Sequence, residues 1–384
     1  MAGKALQISR NLFIAPDKQE FSEETPPTHN KLTEVYMKQL LTLAFCMMLV
    51  LSPLSARTDI AGFCYHQVEP KASGKFSLSL DKFTEQLEYL HQRKYKSLNS
   101  EELLAALASG SAPTENSVVI TFDDGYRTVY DYAFPVMKKY GFKGIVCVYP
   151  SFIGSKLAMS WQQLSELINA GWSVECHSMG HKNLAEHYEN AEFEKKFLNH
   201  EIVAARDIIE KQLGNKVKFM VWPYGVYTDR TIQLVRDSGF AGAMTVDGGA
   251  SYQGLSPYLV KRQVIYSSDD MNKFLIRFGM RALPASQQYP APGQVVTQLA
   301  TFSCRLDELA DYSPEKYVLN AKTTGKKVTF SFDAQTRMLT ATVGSEFKPG
   351  NYFIDIYLRD KNTGITAQNG WLFTIAGKSN KTGY

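Results

Sequence analysis

Two contrasting patterns of hydrophobic residues divide this chain at about residue 290. Before that point, short apolar runs such as residues 118–122 alternate with segments whose apolar residues recur at helical spacing, as Phe83, Leu87 and Leu90 do. Short runs rich in β-branched residues are typical of strands buried on both faces, and their alternation with helices predicts a parallel sheet. The pattern therefore predicts an α/β domain, whose length fits a (β/α) barrel.

The C-terminal quarter of the chain loses this helical spacing and predicts an all-β domain. Turns such as Lys348-Pro349-Gly350 separate short stretches of alternating apolar and polar residues, and short strands without helices favour an antiparallel sandwich. Tyr352, just after this turn, is similar to the tyrosine corner of an immunoglobulin-like domain. The predicted strands are 295–305, 317–321, 327–332, 338–343, 351–358 and 371–375.

The N-terminal segment predicts an export signal rather than part of a folded domain. Residues 1–36 are polar, so we expect them to be disordered or to be an over-extended reading frame, because Met37 stands where a signal peptide would begin. Residues 37–56 combine a charged start, a short apolar core and a small-residue end, the layout of a secretory signal peptide. The alternative is an uncleaved signal anchor. We therefore expect an exported protein, either periplasmic, extracellular or attached to the cell envelope.

Composition narrows the function classes further. A chain of 384 residues has room for one large and one smaller domain, and its 44% hydrophobic and 21% charged residues are ordinary for a globular protein. The net charge of +4 is mild, and no basic stripe alternates with aromatic residues, which argues against nucleic-acid binding. An exported chain could pair its cysteines, but their spacing fits no zinc pattern and their apolar settings favour buried thiols. Cleavage near Ala56 would leave four of the five cysteines: Cys64, Cys147, Cys176 and Cys304.

Two adjacent carboxylates, Asp123 and Asp124, end the apolar run at 118–122. The C-terminal ends of strands are where an α/β sheet or barrel places its chemistry. Neighbouring carboxylates are unfavourable unless a cation binds there, or unless the two divide the roles of metal ligand and base. The alternative is a plain Asp-Gly turn.

Two histidines spaced four apart, His177 and His181, follow another predicted strand at 172–176. On a helical turn, residues at this spacing share one face and can grip one metal ion. Ordinary polar histidines are the alternative, although the chain has only seven His. Residues 222–225 (Trp-Pro-Tyr-Gly) form a turn that can either aim a backbone N–H into a site or be purely structural. His66 is the last residue of the first predicted strand, at residues 60–66.

In this order, the three motifs resemble those of the polysaccharide deacetylase family, the NodB-homology carbohydrate esterases (family 4). Residues 121–125 (Thr-Phe-Asp-Asp-Gly) match its first motif, residues 177–181 (His-Ser-Met-Gly-His) its histidine motif, and residues 222–225 most of its third. The resemblance implies a distorted (β/α) barrel with fewer than eight strands. The domain plan is a deacetylase domain at 57–285, a linker at 286–294 and a small immunoglobulin-like sandwich at 295–384.

The resemblance also implies a divalent-metal site. Asp124, His177 and His181 match the metal ligands of the family. This ligand set favours zinc but also accepts cobalt, nickel, iron or manganese.

The catalytic roles follow from the same resemblance. Asp123 matches the general base, and the backbone N–H of Tyr224 matches an oxyanion donor. A subset of the family carries an N-terminal Tyr-His pair, so His66 resembles the general acid. Tyr126 and Trp222 are the expected substrate contacts. The implied reaction is hydrolysis of an N-acetyl group, which releases acetate and leaves an amino sugar.

One position departs from the family pattern. Many members carry Arg two residues before the proline of the third motif, where it contacts the base, and this chain has Val221. Asp123 is therefore expected to lack a cationic neighbour and to have a higher pKa than it would beside one. With this substitution and the Tyr-His pair, the pattern of the chain resembles that of exported deacetylases that act on β-1,6-linked N-acetylglucosamine in biofilms.

Several alternatives stay open at this point. The substrate could instead be a chitin-like oligomer, peptidoglycan, acetylated xylan or a small non-sugar amide. A glycan-binding protein without catalysis could also keep this fold. The expected partners are the polysaccharide and either the cell envelope or a polysaccharide export system.

Overall fold

The structure, a computed structural model, describes residues 59–108, 116–186, 188, 190–307, 309 and 312–377. The predicted over-extended start and the signal peptide lie outside these residues. Within the described ranges, no helix is long and apolar enough to cross a membrane.

A curled sheet of parallel strands forms the centre of the first domain, as the hydrophobic pattern predicted. Its strands and those of a small neighbouring ribbon are β1 (Ala61–Tyr65), β2 (Gln67–Glu69), β3 (Ser77–Ser79), β4 (Lys96–Ser97), β5 (Ser117–Phe122), β6 (Ile145–Val148), β7 (Ser173–Cys176), β8 (Phe219–Val221), β9 (Gly242–Met244) and β10 (Gln263–Val264). The order across the sheet is β10-β1-β5-β6-β7-β8-β9, with β4 beside β5, while β2 and β3 pair with each other. Backbone bonds from Val260 N to the Ala243 carbonyl (3.1 Å) and from Thr245 N to the Val260 carbonyl (2.7 Å) join the region of β9 to the segment that leads into β10 and so close the curl.

Helices connect these strands and cover the outside of the sheet. They are α1 (Leu80–Gln92), α2 (Ser100–Leu107), α3 (Phe134–Lys139), α4 (Trp161–Asn169), α5 (Ala191–Leu198), α6 (Ala205–Leu213), α7 (Asp229–Asp237) and α8 (Met271–Gly279). A capping box begins α4, since the side chains of Ser160 and Gln163 each accept from the other's backbone N–H. Asn99 caps α2 and forms a second capping box with Glu102.

The core beneath the predicted active site is built from stacked aromatic rings. All six residues of β5 are buried. The ring of Phe122, the residue before the two carboxylates, lies between Trp172 and Tyr65, with both centroid distances at 5.6 Å. Buried aromatic side chains dominate core energetics and hold defined orientations. The strand end that carries Asp123 therefore rests on a closely packed floor.

The C-terminal domain is an antiparallel two-sheet sandwich, as predicted. One sheet has the order β11-β19-β18-β15 with β13 beside β19, and the other has the order β12-β14-β17-β16. Its strands are β11 (Arg281–Ala282), β12 (Ala285–Tyr289), β13 (Val295–Val296), β14 (Thr301–Leu306), β15 (Tyr317–Thr323), β16 (Val328–Asp333), β17 (Met338–Val343), β18 (Gly350–Asp360) and β19 (Thr366–Ile375). Tyr352 donates its hydroxyl to the Lys348 carbonyl at 2.9 Å, the bond expected of a tyrosine corner.

The expected linker at 286–294 is partly wrong. Residues 285–289 form β12, which pairs antiparallel with β14, and Ala282 in β11 already pairs with Gln368 in β19. Proline and glutamine in this stretch suggested a loop, but edge strands tolerate proline at their ends. The sandwich therefore begins before residue 295.

The packing of the aromatic floor can be tested at Gly144. A methyl group added there would lie 2.4–2.8 Å from three ring atoms of Trp172, so Gly144→Ala should lower the free energy of unfolding by about 1–3 kcal/mol. Urea denaturation measures this loss. Gly279→Ala is the matched control, because an added methyl meets no atom within 4 Å there. Equal stabilities of the two variants would contradict this account of the floor.

Candidate active site and metal centre

The predicted site residues meet at one edge of the curled sheet, which we call the mouth. The mouth consists of the segments that directly follow β1, β5, β6, β7 and β8, because parallel strands end on the same side. These segments begin at His66, Asp123, Tyr149, His177 and Trp222. Residues far apart in the chain thereby become neighbours.

Asp124, His177 and His181 form a compact set of metal donors. Asp124 Oδ1 lies 3.7 Å from His177 Nε2 and 3.4 Å from His181 Nε2. The three donor atoms lie within 4.8 Å of one another. This grouping confirms that the two histidines and the second carboxylate come together.

The histidine loop reaches this geometry by a different route from the one predicted. Residues 177–181 are not helical. Ser178 and His181 instead have positive φ angles of 68° and 53°, and His181 N donates to Ser178 Oγ at 2.9 Å. Gly180 N donates to the buried carboxylate of Glu201 at 3.0 Å. The left-handed backbone, held by these bonds, brings the two rings to 4.8 Å.

The protonation of His177 suits a metal ligand. Its Nδ1 lies 2.8 Å from the Val221 carbonyl oxygen, which can only accept, so Nδ1 carries the proton and Nε2 presents a lone pair toward Asp124. Burial lowers the pKa of His177 to about 3, so the ring is neutral at physiological pH. Burial, and after it the charge of Asp123, raises the pKa of Asp124 to about 7. A bound cation would favour the ionised form of Asp124 and so oppose the effects of burial and of the Asp123 charge. The donor set therefore fits a divalent ion.

Asp123 is held by an arginine that the sequence analysis missed. Arg262 Nη1 donates to Asp123 Oδ1 at 2.6 Å, and Nη2 donates to Oδ2 at 3.1 Å. Arg262 also donates to Thr121 Oγ1 at 2.8 Å and to the Thr245 carbonyl at 3.2 Å. Its side chain is 0% exposed.

Arg262 overturns the expectation that Asp123 lacks a cationic neighbour. Burial alone would raise the pKa of Asp123, but the Arg262 guanidinium, aided by His177, holds it well below its usual range. The cation comes from the residue before β10 rather than from position 221. In the sequence, Arg262 is visible only as part of a Lys-Arg pair that precedes a late strand. Without the strand order, nothing connects this pair to Asp123.

Cys64 lies beside Asp123 as a buried thiol. Its Sγ donates to Asp123 Oδ2 at 3.2 Å. Burial raises the pKa of Cys64 well above its usual value, which favours the neutral thiol. All four cysteines among the described residues are free and buried, which confirms the prediction of small buried thiols.

His66 follows β1 and lies next to Asp123. It is on the side of Asp123 away from β7, the strand that precedes the histidine loop. A nitrogen of His66, the Cys64 sulfur and an Asp123 oxygen lie within 4.8 Å of one another. The ring packs on Phe76, with centroids 4.7 Å apart, and Nδ1 has no hydrogen-bond partner among the described residues. Burial lowers the pKa of His66, so the imidazole is biased toward its neutral form.

Aromatic side chains form one rim of the mouth. Tyr224 is 64% exposed, has a φ of 59°, and packs its ring 4.6 Å from that of His181. Tyr149 lies 5.4 Å from His181 on another side and was missed in the sequence analysis. Tyr126 is half-buried and packs edge-on against Phe152, and burial followed by the charge of Asp124 raises its pKa. The predicted residues Tyr126 and Tyr224 are thus both placed at the mouth.

Trp222 requires a correction. Its side chain is 1% exposed and lies in the core beside Tyr227, with centroids 6.0 Å apart. A ring enclosed in this way offers no face to a sugar, so the expected substrate contact is wrong. Trp222 sits behind the turn that carries Tyr224 and supports it from the core.

A curled parallel sheet with an Asp-His-His donor set beside a buried aspartate is the arrangement expected from the resemblance to the metal-dependent carbohydrate esterases. Residues 110–243 match the family model described as Polysaccharide deacetylase. The domain that contains these residues is a polysaccharide deacetylase family domain, and the activity of that family is hydrolytic. Members of this family depend on a metal ion, and the ligand group needed to hold one is present.

Individual relatives agree with this assignment. YxkH of Bacillus subtilis, named after the same family, is 25% identical over 198 residues, covering 52% of this chain and 68% of that protein. The poly-β-1,6-N-acetyl-D-glucosamine N-deacetylase of Staphylococcus aureus is 25% identical over 227 residues, covering 56% and 76%. The Streptococcus pyogenes deacetylase PplD, solved with acetate, is similar in fold, with a TM-score of 0.52 and 23% identity over 58% of this chain and 98% of its own.

The donor set can be tested by metal binding. Asp124→Ala and His181→Ala should each weaken Zn²⁺ binding at least about tenfold, because each removes one of three ligands. Competition with a calibrated chelator measures the affinity. His91→Ala, an exposed histidine at the end of α1, is the matched control. Unchanged affinity in both ligand variants would show that the ion binds elsewhere.

The buried ion pair can be tested by its effect on stability. Arg262→Met leaves the Asp123 carboxylate buried without a partner and should lower the free energy of unfolding by about 3–5 kcal/mol. Adding Asp123→Asn should recover part of the loss, since no unpaired charge then remains. Lys196→Met, which breaks an exposed pair with Glu192, should change stability by at most about 1 kcal/mol. Equal losses from the buried and exposed pairs would argue against this account.

Proposed function

We propose that this protein removes N-acetyl groups from a polysaccharide that contains N-acetylglucosamine, and that the polymer is β-1,6-linked. The observation that carries the hydrolytic part is the Asp124-His177-His181 donor set beside an arginine-held Asp123. The linkage is supported by the relative from Staphylococcus aureus, whose name specifies that polymer, and by the N-terminal Tyr-His pair.

The donor set would hold the divalent ion, and zinc is the ion we propose for this mixture of imidazole and carboxylate. When bound, the ion supplies Lewis acidity toward the amide carbonyl and lowers the pKa of a nearby water molecule. The protein contributes the fixed ligand tautomer at His177.

Asp123 is the proposed base that takes a proton from the attacking water. The two bonds from Arg262 fix both carboxylate oxygens, so Asp123 is oriented before the substrate arrives. The same bonds keep it ionised, which a base requires. Its low pKa makes it a weak base, so it would depend on the added acidity that a bound divalent ion would give the water.

His66 is the proposed acid that protonates the departing amine. A lowered pKa makes the imidazolium a stronger proton donor but a scarce species at neutral pH. We therefore place its protonation after the attack, with Asp123 as the nearest proton source. The net result is one water consumed, one acetate released and one amine left on the sugar.

Tyr224 and Tyr126 complete the proposed site. The left-handed turn at Tyr224 lies beside His181 at the mouth, and its backbone N–H is the donor we propose for the oxyanion. Tyr126 and the exposed ring of Tyr224 are the proposed sugar contacts. Tyr149 extends the same rim and is added to them.

The proposed setting is outside the cytoplasm. It rests on the signal-peptide pattern at residues 37–56 and on the nature of the substrate, a polymer of the cell surface. A cell-envelope or polysaccharide-export partner is proposed on the same grounds.

The decisive experiment measures acetate released from β-1,6 and β-1,4 N-acetylglucosamine oligomers, with and without chelator and added Zn²⁺. We expect faster release from the β-1,6 series, loss with chelator and recovery with metal. Asp123→Asn should lower kcat by at least about 100-fold. Release only from β-1,4 oligomers would reassign the polymer. A folded, metal-loaded protein that binds both series without releasing acetate would instead support a glycan-binding role.

A further inference from the structure

The C-terminal sandwich packs directly against the segment that closes the curled sheet. Gly370 N in β19 donates to the Gly248 carbonyl at 2.9 Å, and Gly249 bridges to Asn369. A methyl group added at Gly248 would lie 2.0 Å from a side-chain nitrogen of Gln368, and one at Gly370 would lie 2.6 Å from Gly248 N. Only glycine permits this approach, so the backbones of the two domains are in contact here.

Lys261 crosses this boundary. Its ammonium donates to the Gly370 carbonyl at 2.6 Å, to Asn369 Oδ1 at 3.3 Å and to the Gly248 carbonyl at 3.2 Å. The residue is only 4% exposed. Burying an ammonium group is unfavourable unless its donors are satisfied, and its three donors here match three acceptors. Two of those acceptors belong to β19, so the sandwich determines where Lys261 sits.

The next residue in the chain is Arg262. Neighbouring residues in an extended segment point to opposite faces. Lys261 accordingly reaches outward to β19, while Arg262 reaches inward to Asp123. The segment is bonded to β9 through Val260 and to β1 through Gln263. Movement of this short segment would therefore move the guanidinium that orients the proposed base.

We propose that Lys261 is a positioning residue, through which the C-terminal sandwich fixes Arg262 and hence Asp123 in the active site. The inference rests on the proposed function, and it gives the sandwich a part in catalysis.

Docking of the sandwich does not depend on Lys261 alone. Tyr227 donates to Asp247 at 2.5 Å and accepts from Leu372 N at 3.4 Å. Arg281 also pairs with Asp59 at 3.2 Å. A Lys261 variant should therefore keep the two domains together while loosening the segment that carries Arg262.

The test is a double-mutant cycle on the full-length, Zn²⁺-loaded protein with a β-1,6 oligomer. Lys261→Met should lower kcat about tenfold, since small displacements of catalytic groups have effects of this order or larger. KM and Zn²⁺ affinity should stay unchanged. In an Arg262→Lys background, the same substitution should change kcat less than about twofold, because its effect passes through Arg262. Equal effects of Lys261→Met in both backgrounds would overturn the proposal.

The matched control is Lys326→Met. Lys326 also donates to a backbone carbonyl, that of Glu346, but within the sandwich, and its loss should leave kcat unchanged. If Lys261→Met does not fold, Asn369→Ala replaces it in the cycle with a smaller expected loss and the same requirement for coupling to Arg262.

Amide hydrogen exchange separates this inference from the proposed function. If the parent protein releases no acetate from any oligomer, the proposed function fails, but exchange at residues 260–264 can still be compared. Faster exchange there in Lys261→Met, with no change in Lys326→Met, supports the mechanical link. Unchanged exchange at residues 260–264 overturns it.

Discussion

The buried ion pair between Asp123 and Arg262 is the constraint on which the rest of the site depends. Both side chains are almost fully enclosed, and either one alone would be a costly unpaired charge. The fold must therefore bring the end of β5 and the start of β10 to the same place. Closure of the curled sheet does this, with Thr121 and Thr245 accepting the remaining guanidinium bonds.

This constraint explains how two adjacent carboxylates can have different tasks. Asp123 faces a permanent cation and stays ionised, whereas burial, and after it the charge of Asp123, raises the pKa of Asp124 to about 7, a shift that a bound cation would oppose. Neighbouring groups whose surroundings push their pKa values apart are typical of catalytic sites. The arrangement also supplies the cation that Val221 does not, because Arg262, in the segment before β10, pairs with Asp123.

The alternation of strands and helices, the sandwich with its tyrosine corner and the grouping of the Asp and His motifs were predictable, because each rests on local patterns. Local reasoning failed where the tertiary contacts decide. His177 and His181 meet through a left-handed loop rather than a helix. Trp222 looked like a sugar platform but is enclosed by the core. Arg262 lies 139 residues from its partner.

The sequence by itself determined the order of elements, the resemblance to the family and the Asp and His residues proposed as metal donors, because apolar periodicity and short motifs act over a few residues. The tertiary structure alone decided which cation holds Asp123, which aromatic rings reach the mouth and how the sandwich abuts the segment at Lys261. Each of these depends on strand order and on how the sheet closes. Strand order pairs residues that are distant in the chain, and no local pattern encodes that pairing.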